Sequence, residues 1–120
     1  MEKHHNINYI EIPSTDLKAT KAFFNSVFNW HFTDYGPEYS SFGAQGVDGG
    51  FYLSDQTMNT TTGSALVVLY SNNLEDTLAN VEKHGGSIIK PIFSFPGGRR
   101  FHFSEPGGGE FAVWSEPLDE

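Results

Sequence analysis

Residues 8–30 read "NYIEIPSTDLKATKAFFNSVFNW". From Ile7 to Ile12 the side chains alternate: Ile10 and Ile12 point one way, Tyr9 and Glu11 the other. That two-residue period predicts a half-buried strand. "PSTD" then breaks the strand and offers Ser14, Thr15 or Asp16 as a helix N-cap. Leu17, Phe24, Val27 and Phe28 follow at helical spacing and predict one buried stripe, with Lys18 and Lys21 off it. A strand feeding a helix is a common unit. What decides the fold is that this one returns. Residues 66–85, "LVVLYSNNLEDTLANVEKHG", repeat the plan at an offset of 57. Tyr9 matches Leu66, Ile10 matches Val67, Ile12 matches Leu69, Leu17 matches Leu74 and Phe24 matches Val81. Asn72 or Asn73 can cap the second helix, Leu74, Leu78 and Val81 form its stripe, and Gly85 or Gly86 ends it.

Each strand–helix pair is followed by three short strand-like runs. After the first come "WHFTDYG", "EYSSFGAQG" and "GGFYLSDQ", aromatic-rich and separated by Gly and Asp. After the second come "SIIKPIFSF", "GRRFHFS" and "GEFAVWS", with Pro91 marking an edge strand or a bulge. The polar segment "TMNTTTG" lies between the halves. The organisation is strand–helix–three strands, twice, and recurrence of the whole order reads as a duplication. The sequence therefore predicts one α+β domain of two repeats, residues 7–56 and 64–115, joined by a linker at 57–63. Each sheet carries one helix on its outer face, so the other faces are expected to cover each other or enclose a cavity.

The chain of 120 residues is one domain's length. Seven Lys+Arg against 15 Asp+Glu give a net charge of −8, which disfavours a phosphate backbone as partner and tolerates a cationic ligand. The absence of Cys removes disulfides, thiol nucleophiles and thiolate metal sites. No apolar run approaches the roughly 20 residues that span a bilayer, and "MEKHHNINY" carries no apolar signal segment, so a soluble cytoplasmic domain is expected. "GGRR" and "EPGGGE" lack the pattern of a phosphate loop and read as tight turns.

The repeat, together with "IEIPSTDLKATKAFFNSVFNW" and "FHFSEPGGGEFAVW", resembles the vicinal oxygen chelate superfamily, the group of glyoxalase I, bleomycin- and fosfomycin-resistance proteins and extradiol dioxygenases. The resemblance spans about residues 7 to 115. The second motif is similar to the family's F-x-x-D-P-x-G-x-x-x-E-L ending, with Glu105 in place of the Asp. The resemblance implies paired βαβββ modules with curved sheets around a cleft, usually in a homodimer. It also implies four metal-ligand positions, on the first and last strand of each module. Here they fall at Tyr9, near Tyr52, at Leu66 and at Ala112. Divalent metals in such sites take His nitrogen or carboxylate oxygen. Leu66 and Ala112 have no donor atom, so the sequence resembles the family's metal-free branch, and neither a metal nor another cofactor is expected.

The remaining cleft positions are Glu11, Val68, Tyr70, Arg100, His102, Glu110 and Trp114. Tyr9, Tyr52, Tyr70 and Trp114 make either a ligand platform or core filling. Glu11, Arg100 and His102 form a candidate polar cluster, in which Glu11 and Arg100 can be an ion pair closing the sheet. Two functions compete. One is metal-free binding of a small aromatic or cationic molecule, with Tyr9, Tyr52, Leu66, Val68, Tyr70, Arg100, Ala112 and Trp114 as the lining. The other is a glyoxalase-type lyase or isomerase using His102 and Glu11 as acid and base, with a divalent metal recruited outside the usual positions. A purely structural or partner-binding dimer is the third reading.

Overall fold

The computed structural model describes residues 4–43 and 46–118. The first strand, β1 (Tyr9–Ser14), leads into helix α1 (Leu17–Phe28), followed by β2 (Phe32–Asp34), β3 (Tyr39–Phe42) and β4 (Asp48–Leu53). A 3-10 turn at Thr60–Thr62 precedes β5 (Val67–Tyr70), helix α2 (Leu74–Lys83), β6 (Ser87–Phe95), β7 (Gly98–Ser104) and β8 (Glu110–Ser115). The two sheets have the same order, β1-β4-β3-β2 and β5-β8-β7-β6. In each, the strand before the helix pairs in parallel with the last strand, and the other pairs are antiparallel.

The duplication reaches into the hydrogen bonds that start the helices. Asp16 caps α1 by accepting from the Ala19 N–H, and Asn73 caps α2 by accepting from the Asp76 N–H. The Asp16 N–H donates to Ser14 Oγ and the Asn73 N–H to Ser71 Oγ, both at 3.0 Å. Each of those hydroxyls lies 2.7 Å from a threonine one turn into the helix, Thr20 or Thr77. Helix α1 ends on Asn29 in the left-handed region, and Gly85 takes φ 98° after α2. Pro91 lies on the edge strand β6, between Lys90 and Phe93, where the register against β7 shifts.

The buried stripe of α1 is Leu17, Thr20, Phe23 and Phe24, while Val27 and Phe28 are only half-buried. The helix turns Phe23 to the core and buries Thr20 because a partner awaits its hydroxyl. Leu74 and Val81 are the buried residues of α2. The helix-facing sides of both sheets share one core. Phe24 stacks on Trp30 at 4.7 Å and reaches Phe51 of the first sheet and Phe111 of the second. Phe23 meets Phe103, and Phe101 and Phe103 are fully buried under the helices.

This shared core corrects one expectation. The two helix-free faces neither cover each other nor close around a cavity within the chain. The helices hold the sheets together by their other sides, so the helix-free faces stay open. Tyr9, Tyr52, Val68 and Tyr70 remain 39–49% exposed. The polar segment between the sheets is no loose tether either. Met58 is buried in the core, its carbonyl accepts from the Glu110 N–H at 2.7 Å, and Asn59 caps the 3-10 turn.

Candidate functional site

The open face of the first sheet is built from alternate residues of β1, β3 and β4. The Tyr9 and Tyr39 hydroxyls lie 2.6 Å apart, and Tyr39 donates to Glu11 Oε2 at 3.0 Å. With its proton committed to Glu11, the Tyr39 oxygen accepts from Tyr9. Burial, together with the bonds to Tyr9 and Glu11, holds the Tyr39 hydroxyl well above the usual phenol range. Gly50 makes this relay possible, because a Cβ there would collide with the Tyr39 ring and hydroxyl. Beside the relay is a depression of about 440 Å³ lined by Tyr9, His31, Tyr35, Phe42 and Asp48 among others.

The open face of the second sheet is different in character. Register places Val68 beside Ala112, Ala112 beside His102, and Trp114 between Tyr70 and Arg100. Tyr70 meets Trp114 edge-on at 5.2 Å, and its hydroxyl donates to Glu116. The Arg100 guanidinium lies over the rings of Phe93 and Phe95 at 5.3 and 5.5 Å. His102, 2% exposed, holds Glu110 Oε2 through Nδ1 at 2.8 Å. The other Glu110 oxygen accepts from the Thr60 N–H at 2.8 Å and the Thr60 hydroxyl at 2.9 Å. Burial pushes the Glu110 carboxyl up, but the bonds from His102 and Thr60 outweigh it and hold the group below the usual range. Two buried side-chain nitrogens lack a partner among the described residues: Nε of Arg100 and Nε2 of His102. Beside Arg100 is a depression of about 310 Å³ lined by Val68, Phe95, Gly97, Arg100 and Trp114.

The anticipated polar cluster divides between these faces. Glu11 belongs to the Tyr39 relay, Arg100 lies over two phenylalanines, and no ion pair joins them among the described residues. The carboxylate that His102 holds is Glu110, not Glu11. Ala112 is fully buried between Val68 and His102 and floors the face. Leu66, half-buried, sits just before β5. Sequence reading missed Tyr39, Thr60, Phe93 and Phe95. The alternation of Phe93 and Phe95 was a usable signal. Thr60 gave none, because its role depends on where a polar connection crosses β8.

The four positions that hold metal in the resembling enzymes fit none here. Tyr9 and Tyr52 lie on one sheet, and Leu66 and Ala112 belong to the other. The Tyr9 hydroxyl is engaged with Tyr39, and the side chains of Leu66 and Ala112 offer only hydrocarbon. Among the described residues no three His, Asp or Glu side chains gather as a metal cluster. None of the described helices is long and apolar enough to cross a membrane.

Residues 6–113 match the family model of the glyoxalase/bleomycin resistance protein/dioxygenase superfamily. Among curated proteins, no sequence matches the chain. Solved structures similar to it include a glyoxalase-related enzyme from Fulvimarina pelagi, with 17% identity over 95% of this chain and 90% of that one, and a TM-score of 0.78. The genomically encoded fosfomycin resistance protein FosX from Listeria monocytogenes is 18% identical over 98% and 97%, with a TM-score of 0.71. TnmS3, an antibiotic binding protein from Streptomyces sp. CB03234, is 17% identical over 97% and 99%, with a TM-score of 0.67. At these identities the likeness is one of fold.

Proposed function

The chain belongs to the glyoxalase/bleomycin resistance protein/dioxygenase superfamily, and from that premise we propose that it is a cytoplasmic homodimer that binds a small aromatic or cationic molecule without a metal. The observation that carries this reading is the pair of open aromatic faces. They keep Tyr9, Tyr52, Val68, Tyr70 and Trp114 available, and among the described residues no three His, Asp or Glu side chains gather as a metal cluster. Apolar surface of this kind, rimmed by polar groups, marks a binding face. The similar structures include one antibiotic binding protein and one fosfomycin resistance protein, which supports the same class.

Metal is the discriminating variable. Added Zn²⁺, Ni²⁺ or Mn²⁺ is expected to leave the melting temperature of a chain lacking residues 1–6 unchanged in any saturable way. A native-state ligand at a hundredfold excess over Kd would stabilise by about 2.7 kcal/mol, which a thermal shift detects readily. Tight binding of one ion by that chain, abolished in Glu11→Ala or His102→Ala, would sink the metal-free reading. The competing lyase or isomerase reading would then take its place. Its own support is the buried His102–Glu110 pair, with Thr60 fixing the carboxylate and Nε2 of His102 left unbonded.

The dimer has its own test. Val68 and Tyr70 stand exposed on an open strand face that no described residue covers. Sedimentation is expected to give a dimer at micromolar concentration, and Val68→Asp with Tyr70→Asp to shift it to monomer without loss of secondary structure. Monomer alone in the unmodified protein would count against a shared interface.

A further inference from the structure

Both buried, unpartnered side-chain nitrogens among the described residues fall on one strand, two positions apart and on the same face: Arg100 and His102 of β7. Buried polar atoms without partners are uncommon in folded proteins. Of the two, only Arg100 lines the neighbouring depression, where it is the one charged residue among Val68, Phe95, Gly97 and Trp114.

Resting on the reading of this face as a site for a small aromatic molecule, we propose that its ligand is an aromatic carboxylate, held by the Arg100 guanidinium with its ring against Phe95 and Trp114. Phe93 and Phe95 lie against the guanidinium and hold its plane, which leaves the fork of N–H donors to a partner of matching shape. A carboxylate has that shape and balances the guanidinium charge. A neutral aromatic would leave that charge without a counter-ion, and a cation would sit against Arg100 in an apolar hollow. Among the described residues, the carboxylates near this face are already engaged. Glu110 is bound by His102 and Thr60, and Glu116 receives the Tyr70 hydroxyl. Neither is bonded to Arg100, which leaves the guanidinium to the ligand.

The test compares three probes of one shape and different charge: 2-naphthoate, 2-naphthamide and 2-naphthylmethylamine. Binding is followed by quenching of Trp114, since Trp30 is buried in the core, and Trp114→Phe checks the assignment. Naphthoate is expected to bind at least about tenfold tighter than the amide, with that preference lost in Arg100→Gln and partly kept in Arg100→Lys. Circular dichroism of both variants reports that the fold is intact. A tighter amine, no preference, or a preference that survives Arg100→Gln overturns the carboxylate assignment and leaves the aromatic-binding reading standing. So does an Arg100→Gln variant that weakens the dimer while naphthoate still binds as before, because Arg100 then serves a carboxylate of a second copy. Failure of all three probes to bind overturns both.

Discussion

Phe24→Ala is expected to destabilise the protein by about 3–5 kcal/mol, the range for removing a fully buried aromatic side chain. The ring is 0% exposed. It stacks on Trp30 at 4.7 Å, meets Phe111 edge-on at 5.0 Å and lies 5.5 Å from Phe51. Those partners come from both sheets, so the vacated volume opens at the seam between them rather than within one half. Collapse into the hole would require the two sheets to move together, and their separate strand registers resist that. A loss of this size is a large fraction of the roughly 5–15 kcal/mol that holds a typical domain folded. Urea unfolding followed by far-ultraviolet circular dichroism and by tryptophan fluorescence checks it. Both probes should shift to lower midpoint together, because one core serves both sheets. A variant within about 1 kcal/mol of the parent, or one in which half of the dichroism persists through the transition, would show that the seam is not where stability resides.

The elements that could be read from sequence are those fixed by local pattern. The alternation Tyr9–Ile10–Glu11–Ile12 placed β1, "PSTD" placed the cap, and the return of the plan at Leu66 supplied the second sheet. The register implied by the family resemblance put Phe101 and Phe103 under the helices and Arg100 and His102 on the other face, and the fold has Phe101 and Phe103 fully buried. What could not be read was set by contacts between distant segments. Whether the open faces meet depends on how α1 sits against both sheets, and no periodicity encodes that angle. His102 could take Glu11 or Glu110 as its carboxylate on pattern alone. The choice fell to Glu110, which lies on the neighbouring strand β8 and is fixed from the other side by Thr60. Tyr39 escaped notice because its role requires the hollow left by Gly50 on the adjacent strand.

Glu105 shows the same dependence on distant contacts, and it carries the second large prediction. Its position matches an Asp in the resembling motif, and here the carboxylate is a buried knot, 2% exposed. Oε1 accepts from the Thr20 hydroxyl at 2.7 Å and from the Gly107 N–H at 2.6 Å, and Oε2 from the Gly109 N–H at 3.3 Å. Thr20 is on α1, so the carboxylate ties the first helix to the turn between β7 and β8. The Thr15 N–H and hydroxyl both donate to the Gly107 carbonyl at 3.0 Å and strengthen the same joint. Glu105→Ala strands three donors at up to about 1–3 kcal/mol each, so a loss on the order of 3 kcal/mol or more is expected in chemical denaturation. Glu105→Gln is the sharper probe. Burial, aided by the charge of Asp16, raises the Glu105 carboxyl above its ordinary range despite the bonds from Thr20, Gly107 and Gly109. A raised folded pKa means that the folded state holds the proton more tightly than the unfolded chain. The stability from that proton is fully present below the unfolded value near 4.5 and is lost as pH rises through the folded value. Glutamine cannot titrate, and its carbonyl keeps the bonds from Thr20 and Gly107. Measured from pH 4 upward, the parent should therefore lose stability relative to Glu105→Gln and level off once the carboxyl is ionised. Glu110, lowered by His102 and Thr60, acts in the opposite direction in both proteins and cancels in the difference. A difference flat across that window would mean that burial does not raise the Glu105 carboxyl. A difference of the opposite slope would mean that the three hydrogen bonds outweigh the cost of burying the charge.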